Sequence, residues 1–590
     1  MFLPTTKKEM EKLGWKSLDV ILVSGDSYID SPFIGISVIG KTLMNQGFRV
    51  GVIAQPDIDS EKDITRLGEP LLFWGVTAGS VDSMVANYTA TKKRRKQDDY
   101  TPGGVNNKRP DRALIVYTGL IRRFFKKTAP IVLGGIEASL RRISHFDFWS
   151  NKVRRSVLFD AKADILVYGM GELTVLELAK QLKNMNSYKE INGISYIEKE
   201  LNQDTEDFIE LPSYEESNGS KGSFTKMFNI FYDNCDPVTA KGLLQKHDSR
   251  YLVQNPPSKF LSQNKLDEIY GYDYELDLHP YYKKDGDVRA LDTIKYSITT
   301  HRGCYGECNF CAIAVHQGRT VRFRSEASIL KETEKLSKLK GFKGNIMDAG
   351  GPTANMYGFE CKKKLEKGVC KDKRCLFPKT CKTLKPDHSK QISLIKKMEK
   401  IDGVKKVFIA SGIRYDLILN DKIHGEKYLK KIASDNVSGQ MKIAPEHTAK
   451  NVLEKMGKPE QDEILRFKKM FDKISKDKGK KQFLTYYLIA AHPGCSDKDM
   501  QNLKSFMQNE LKINPEQVQV FTPTPSTYST LMYHTGKDLD GNSLFVERDI
   551  KRKEKQKRIV TESPFHKNRI SKKMISKKKK KNYSRGNSNN

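Results

Sequence analysis

Three cysteines lie close together in the run Thr300-His301-Arg302-Gly303-Cys304-Tyr305-Gly306-Glu307-Cys308-Asn309-Phe310-Cys311, with C-x3-C-x2-C spacing. Thiolates crowded on one loop suit an iron-sulfur cluster, whose irons are ligated by cysteine sulfur. Cys304, Cys308 and Cys311 would hold three irons of a cubane and leave the fourth iron an open position for a small molecule. A disulfide inside so tight a loop is geometrically poor. Zinc is the other reading. A structural zinc site closes with four ligands, and His301 is the fourth donor at hand, only three residues before Cys304. The spacing favours iron-sulfur.

A second group, Cys361, Cys370, Cys375 and Cys381, is spaced C-x8-C-x4-C-x5-C. Four thiols on one loop suggest a further metal site, either a second cluster or structural zinc.

Alternating apolar strands and helical stretches must carry these loops. In the first part of the chain, strands are expected at residues 18–24, 48–54, 71–76, 130–133 and 163–169, with helices at 35–46 and 112–127. That order predicts a doubly wound, mostly parallel α/β domain over residues 1–185, with ligands at the carboxyl ends of its strands. Within it, Glu137 beside Arg141 and Arg142 reads either as a pair aimed at a ligand or as a surface ion pair. Periodicity weakens over 186–291, which is expected to be a linker or capping region. From 292 to 549 six further strands, at 294–300, 345–349, 406–411, 440–444, 483–491 and 517–521, alternate with five helices, and the four-cysteine stretch interrupts them. This predicts a partial barrel with the three-cysteine loop after its first strand, where catalytic groups of such folds gather. Residues 550–590 are Lys-rich and poor in apolar side chains, and are expected to be a disordered tail.

The 590 residues carry a formal charge of +32, and residues 551–590 hold 16 Lys and Arg against two Glu. Such a balance makes nucleic acid a possible partner, although no basic motif interleaved with aromatics supports it, and a solvated Lys-rich surface explains it as well. Nine cysteines without an apolar leader point to a reducing, cytoplasmic setting. No apolar run is long enough to span a bilayer, so no membrane association is expected.

Residues 15–185 resemble the cobalamin-binding type of Rossmann-like domain that precedes many radical SAM barrels, through the turns Leu133-Gly134-Gly135 and Gly169-Met170-Gly171-Glu172. The loop at Gly25–Pro32 lacks the cobalt-ligating histidine of that type, and cobalamin is not predicted. The cysteine run, Asp348–Tyr357, the four later cysteines, Pro386-Asp387-His388 and Ala444-Pro445-Glu446-His447 together resemble the YgiQ type of the radical SAM superfamily over residues 2–533. The resemblance implies a [4Fe-4S] cluster on Cys304, Cys308 and Cys311, with S-adenosyl-L-methionine chelated at the fourth iron. It implies contacts to that cofactor from Phe310 against adenine, from the Gly350-Gly351 turn, which lacks the usual Glu, and from Ser411 and Glu446. Its activity would be reductive cleavage of S-adenosylmethionine to a 5′-deoxyadenosyl radical acting on an unknown substrate. An electron donor such as flavodoxin or ferredoxin would be needed, and Cys495 is a candidate hydrogen donor. RNA modification is the alternative within this reading; a non-catalytic iron-sulfur or zinc protein is the alternative outside it.

Overall fold

The computed structural model describes residues 1–201 and 207–562. Five strands, β1 (Val20–Ser24), β2 (Val50–Ala54), β3 (Phe73–Thr77), β4 (Ile131–Gly134) and β5 (Ile165–Val167), pair in parallel in the order β2-β1-β3-β4-β5. β1 and β2 are buried throughout, as continuous apolar strands covered on both faces must be. The helices Gly35–Met44, Ala113–Phe124 and Glu172–Lys183 bury apolar faces against the sheet. Two separate apolar clusters lie on its opposite faces.

The expected linker at 186–291 departs from prediction. It adds β6 (Ile194–Glu198), β7 (Phe208–Leu211), β8 (Gly242–His247) and β9 (Arg250–Gln254), which extend the same sheet to nine strands as β7-β8-β9-β6-β5. Here β5-β6, β6-β9 and β8-β9 are antiparallel, so the sheet is mixed rather than purely parallel. The polar composition reflects half-exposed strands at a sheet end, such as β7, rather than a lack of structure.

The predicted barrel strands appear in order: β10 (Ser297–Thr299), β11 (Asp348–Gly350), β12 (Lys406–Val407), β13 (Gln440–Glu446), β14 (Phe483–Ala490) and β15 (Gln519–Val520). β10 pairs with β11 in parallel, and the short strand Asn345–Ile346 just before β11 pairs with β12 in parallel. A parallel bridge from Ile413 to Ile443 leads to β13, and β13-β14-β15 continue in parallel. The intervening helices start where the sequence offers caps: Ser325 caps Glu326–Ser337, and Ser496 with Asp499 forms a capping box on Asp497–Asn509. Among the described residues no helix is long and apolar enough to cross a membrane.

Two expectations are corrected. Glu137 and Arg141 are neither a ligand pair nor a surface pair. Glu137 is buried and accepts a hydrogen bond from Ser83 N at 2.7 Å, while Arg141, also buried, pairs with Asp82 at 2.7 Å and Asp147 at 3.2 Å. The tail also begins later than expected, because Ile550–Thr561 is a helix with Lys553, Gln556 and Val560 buried. Its composition misleads because its few buried contacts are polar and aromatic. Lys553 Nζ lies 4.9 Å from the ring of Phe148 and 4.7 Å from that of Tyr533, joining the first domain to the end of the barrel. Residues 563–590 lie outside the described residues.

Gln556 ties this helix to β14. Its Oε1 accepts from Ala491 N at 3.0 Å and its Nε2 donates to Cys495 O at 3.1 Å. Gln556→Ala leaves two buried backbone groups unpaired and is expected to cost about 2–4 kcal/mol, read as a lowered denaturation midpoint.

Candidate functional site

The cysteine loop leaves β10 through the two-residue strand His301–Arg302, which pairs antiparallel with Arg322–Phe323. Backbone and side-chain hydrogen bonds pin it: Gly303 N to Gln317 Oε1 at 3.1 Å, Cys304 N to Gly318 O at 3.3 Å and Asn309 N to Met456 O at 2.9 Å. Arg374, from the four-cysteine insertion, reaches back and donates to Glu307 O at 3.2 Å and Asn309 Oδ1 at 2.6 Å. The insertion therefore braces the loop.

Cys304, Cys308 and Cys311 are half-buried free thiols. Burial, and then the neighbouring Cys308, push the Cys304 thiol up. Burial followed by the charges of Cys308 and Cys304 pushes Cys311 up to about 12. Cationic metal binding to the loop would replace the protons of the raised Cys304 and Cys311 thiols. Two groups that sequence reasoning missed soften the negative charge: Arg414 Nη1 lies 3.6 Å from Cys308 Sγ, and Thr353 Oγ1 lies 3.6 Å from Cys304 Sγ. Arg414 is held by Asp416 at 2.5 Å. No local motif joins Arg414 to a loop 106 residues earlier in the chain; only the parallel order of the strands does.

Gly306 faces the same space. A Cβ there would stand 3.0 Å from Arg414 Nη1, 3.2 Å from Cys304 Sγ and 3.7 Å from Cys308 Sγ. These residues fit a thiolate-ligated cluster: three sulfurs, a neighbouring guanidinium, and a gap that any side chain on Gly306 would fill. Gly306→Ala is expected to fold normally and to retain less than half of the wild-type iron after anaerobic reconstitution, measured by iron analysis.

The other predicted contacts converge on the barrel mouth in part. Gly350 closes β11, and Gly351 packs so tightly on His301 that a Cβ would lie 2.6 Å from its Nε2. Ser411 donates its hydroxyl to Asp348, whose Oδ1 also accepts from Ser411 N at 3.1 Å and Ala410 N at 2.8 Å. Glu446 sits at an irregularity of β13 with φ +69°, a strained conformation for a non-glycine residue. Its buried carboxyl is pushed up by burial, with Lys458 Nζ 3.7 Å away working against that. Phe310 is partly buried between the sheet and barrel cores, edge-on to His492 at 6.3 Å.

A cavity of about 440 Å³ opens between the barrel mouth and the carboxyl edge of the sheet. Gly350, Gly351 and Ser411 line its barrel side, and Gly79, Gly135 and Gly169 line its sheet side. Cys495 is not among its lining residues, and neither are Cys304, Cys308, Cys311, Phe310, Arg414 or Glu446. Cys495 is buried beside His447 Nε2 at 3.6 Å and beneath Gln556, away from the position a hydrogen donor needs. In the loop Gly25–Pro32, Asp26 is buried in an ion pair with Arg109, which also faces Asp98 at 3.1 Å. Of the four later cysteines, Cys361, Cys375 and Cys381 pack beside Cys304 around Tyr305 and Phe359. Among the described residues, no three His, Cys, Asp or Glu side chains converge on a single ion, and this holds for Cys304, Cys308 and Cys311 as it does for the four later cysteines.

The Radical SAM N-terminal family matches residues 2–297, and the Radical SAM superfamily family matches residues 298–507. A UPF0313 protein of Fusobacterium nucleatum is 61% identical over 563 residues, covering 95% of this chain and 99% of the relative. A UPF0313 protein of Thermotoga neapolitana is 49% identical over 561 residues, covering 95% and 98%. Among solved structures, the radical S-adenosylmethionine methyltransferase TsrM from Kitasatospora setae aligns with a TM-score of 0.48 at 14% identity, covering 86% of this chain and 74% of that one.

Proposed function

The chain belongs to the radical SAM superfamily, among the UPF0313 proteins, and from that premise we propose that it cleaves S-adenosylmethionine reductively and uses the resulting radical on a substrate held between its two domains. When bound, a [4Fe-4S] cluster with S-adenosylmethionine supplies the electron and the 5′-deoxyadenosyl group for hydrogen abstraction. Cys304, Cys308 and Cys311 are the residues to hold the cluster. Arg414 offsets their negative charge, and Thr353 donates toward Cys304. Gly350 and Gly351, lacking side chains, let the backbone approach the cofactor, and Ser411 and Glu446 offer it polar groups. Leu22, Val76 and Leu133 of the sheet give the cavity an apolar wall. Reduction by a flavodoxin or ferredoxin-type donor in a reducing cytoplasm completes the proposal.

The observation that supports it best is a loop of three half-buried cysteines with the Arg414 guanidinium 3.6 Å from Cys308 Sγ and Thr353, two residues after the Gly350-Gly351 turn, 3.6 Å from Cys304 Sγ. Anaerobic reconstitution with iron and sulfide, followed by S-adenosylmethionine and dithionite, is expected to yield 5′-deoxyadenosine. A fully loaded cluster that yields none with dithionite or a stronger reductant overturns the proposal.

A further inference from the structure

A smaller pocket of about 90 Å³ adjoins the large cavity, and the two share Gly169, Met170, Arg302, His316 and Gln317 as a common wall. Its own walls include Arg142, Lys259, Arg319 and Arg322, with Asp236 as the opposing charge. Two of these cations are already neutralised, Arg319 by Glu307 at 3.2 Å and Arg322 by Glu360 at 3.9 Å. Arg302, in the shared wall, is paired with Glu172 at 2.5 Å. Asp236 accepts from Val238 N at 3.0 Å in its own turn.

Arg142 differs from all of them. It is 1% exposed, yet among the described residues no carboxylate stands within ion-pairing distance of it. The rings of Tyr168 and Phe231 sandwich its guanidinium at 4.5 and 4.4 Å. Nε donates to Gln254 Oε1 at 3.0 Å, Nη1 to Ser139 O at 2.6 Å and Nη2 to Cys235 Sγ at 3.2 Å. A guanidinium has five N–H donors in a fixed plane, so these three contacts leave about two for another acceptor. Buried cations are ordinarily paired, because desolvating a lone one is costly. With both ring faces stacked, the free edge is the one place for a counter-charge, and a planar or tetrahedral oxyanion matches it. Lys259, exposed at the pocket's rim and also without an ion-pair partner among the described residues, adds attraction at the entrance.

We propose that this side pocket is an anion subsite: it seats a carboxylate or phosphate group of the substrate against the edge of Arg142, while the body of the molecule extends past Gly169 and Met170 into the larger cavity. The volume suits one such group, and the shared wall places it next to the site of the chemistry. The inference deepens the proposed activity by fixing the charge class of its substrate.

Cys235, half-buried and 3.2 Å from Arg142, reports locally on occupancy. On the full chain, reconstituted anaerobically, alkylation of Cys235 by iodoacetamide is followed by peptide mass spectrometry while inorganic phosphate or acetate is titrated in. One of the two anions is expected to slow alkylation saturably, by about tenfold at ten times its half-saturating concentration. Sodium chloride of equal ionic strength should not do so. The anion with the lower half-saturation assigns the group as phosphate or carboxylate. Lys259→Gln, at an exposed position, is expected to raise the half-saturating concentration about two- to fivefold, and Arg142→Gln to abolish protection. If Arg142→Gln does not fold, Lys259→Gln decides. Protection by neither anion, equal protection by chloride, or protection unchanged in Lys259→Gln overturns the assignment. Alkylation requires no turnover, so a chain that forms no 5′-deoxyadenosine can still pass this test, and the converse holds.

Discussion

Replacing Cys304, Cys308 or Cys311 singly by alanine is expected to remove the cluster and take 5′-deoxyadenosine formation below detection, with the fold retained. The loss is all-or-none because each sulfur is one of the three needed to hold the cluster, and Thr353 and Arg414 approach the sulfurs as hydrogen-bond donors rather than as ligands. The fold survives because the loop is held by contacts that do not use the sulfurs, namely Asn309 N to Met456 O at 2.9 Å and the Arg374 bridge. Without metal the raised Cys304 and Cys311 groups are protonated thiols, so each alanine variant loses only one half-buried sulfur and is expected to lie within about 1 kcal/mol of the metal-free parent. Cys495→Ala is the contrast. That thiol is buried under the C-terminal helix and does not line the cavity, so its variant should bind iron and form 5′-deoxyadenosine as the parent does. Iron content, the visible absorption of the cluster and chromatographic assay of 5′-deoxyadenosine on the four variants check all of this. An alanine variant of the three that retained both iron and product would remove the basis of the proposed function.

The sequence carried the order of the structure better than its edges. Val20–Ser24 and Val50–Ala54 are legible because strands buried on both faces are written as unbroken apolar runs. The six barrel strands and five helices are legible because their periods alternate, and the pairing of the first two strands brings Thr353, just after the Gly350-Gly351 turn, to 3.6 Å from Cys304 Sγ. The mixed half of the sheet was hidden for the opposite reason. Phe208–Leu211 is short and half-exposed, and nothing in its composition separates such a strand from a polar linker.

The site was legible where it is local and invisible where it is not. The three cysteines lie in one run, whereas Arg414 meets Cys308 only because the third and first barrel strands bring their following loops together. Arg142 shows the same limit. The sequence singled out Glu137, Arg141 and Arg142 as one charged group, but folding separates them. Arg141 turns into a cluster with Asp82 and Asp147, and Arg142 turns toward the side pocket between two aromatic rings. Glu137 lies in the short helix Gly135–Leu140 while Arg141 and Arg142 follow its end, and only the packed surroundings decide which charge is neutralised and which is left to meet a ligand.

Acid should unfold this protein steeply. Burial holds eight histidines below their usual value of 6.5, His279 among them, and takes seven of these to low values: His145, His247 and His492 to about 3, and His301, His316, His447 and His534 to about 4. A folded-state value below the unfolded one means that the unfolded chain binds more protons in between. This stability is complete above pH 6.5 and is lost as pH falls toward 4. Four carboxyls work the other way, since burial raises Asp26, Glu137 and Glu446, and Glu463 to about 7; they stabilise the folded state at low pH and lose that effect as pH rises. The raised carboxyls offset part of the histidine effect, and the net is a loss of stability as pH falls between about 6.5 and 4.5. Asp421, which hydrogen bonds from His388 and His424 hold at about 2 against the effect of burial, adds to the loss at still lower pH. Thermal denaturation of the full chain at constant ionic strength is therefore expected to show a midpoint that drops sharply below about pH 6.5, and a flat profile there would contradict the buried neutral histidines. His247 isolates one of the seven. Stacked between Phe159 at 4.3 Å and Tyr214 at 5.7 Å, it has neither ring nitrogen hydrogen-bonded among the described residues. His247→Phe keeps the stack and removes the proton, so it should raise the midpoint at all pH values and more at acid pH, reducing the slope by about 1.4 kcal/mol per pH unit.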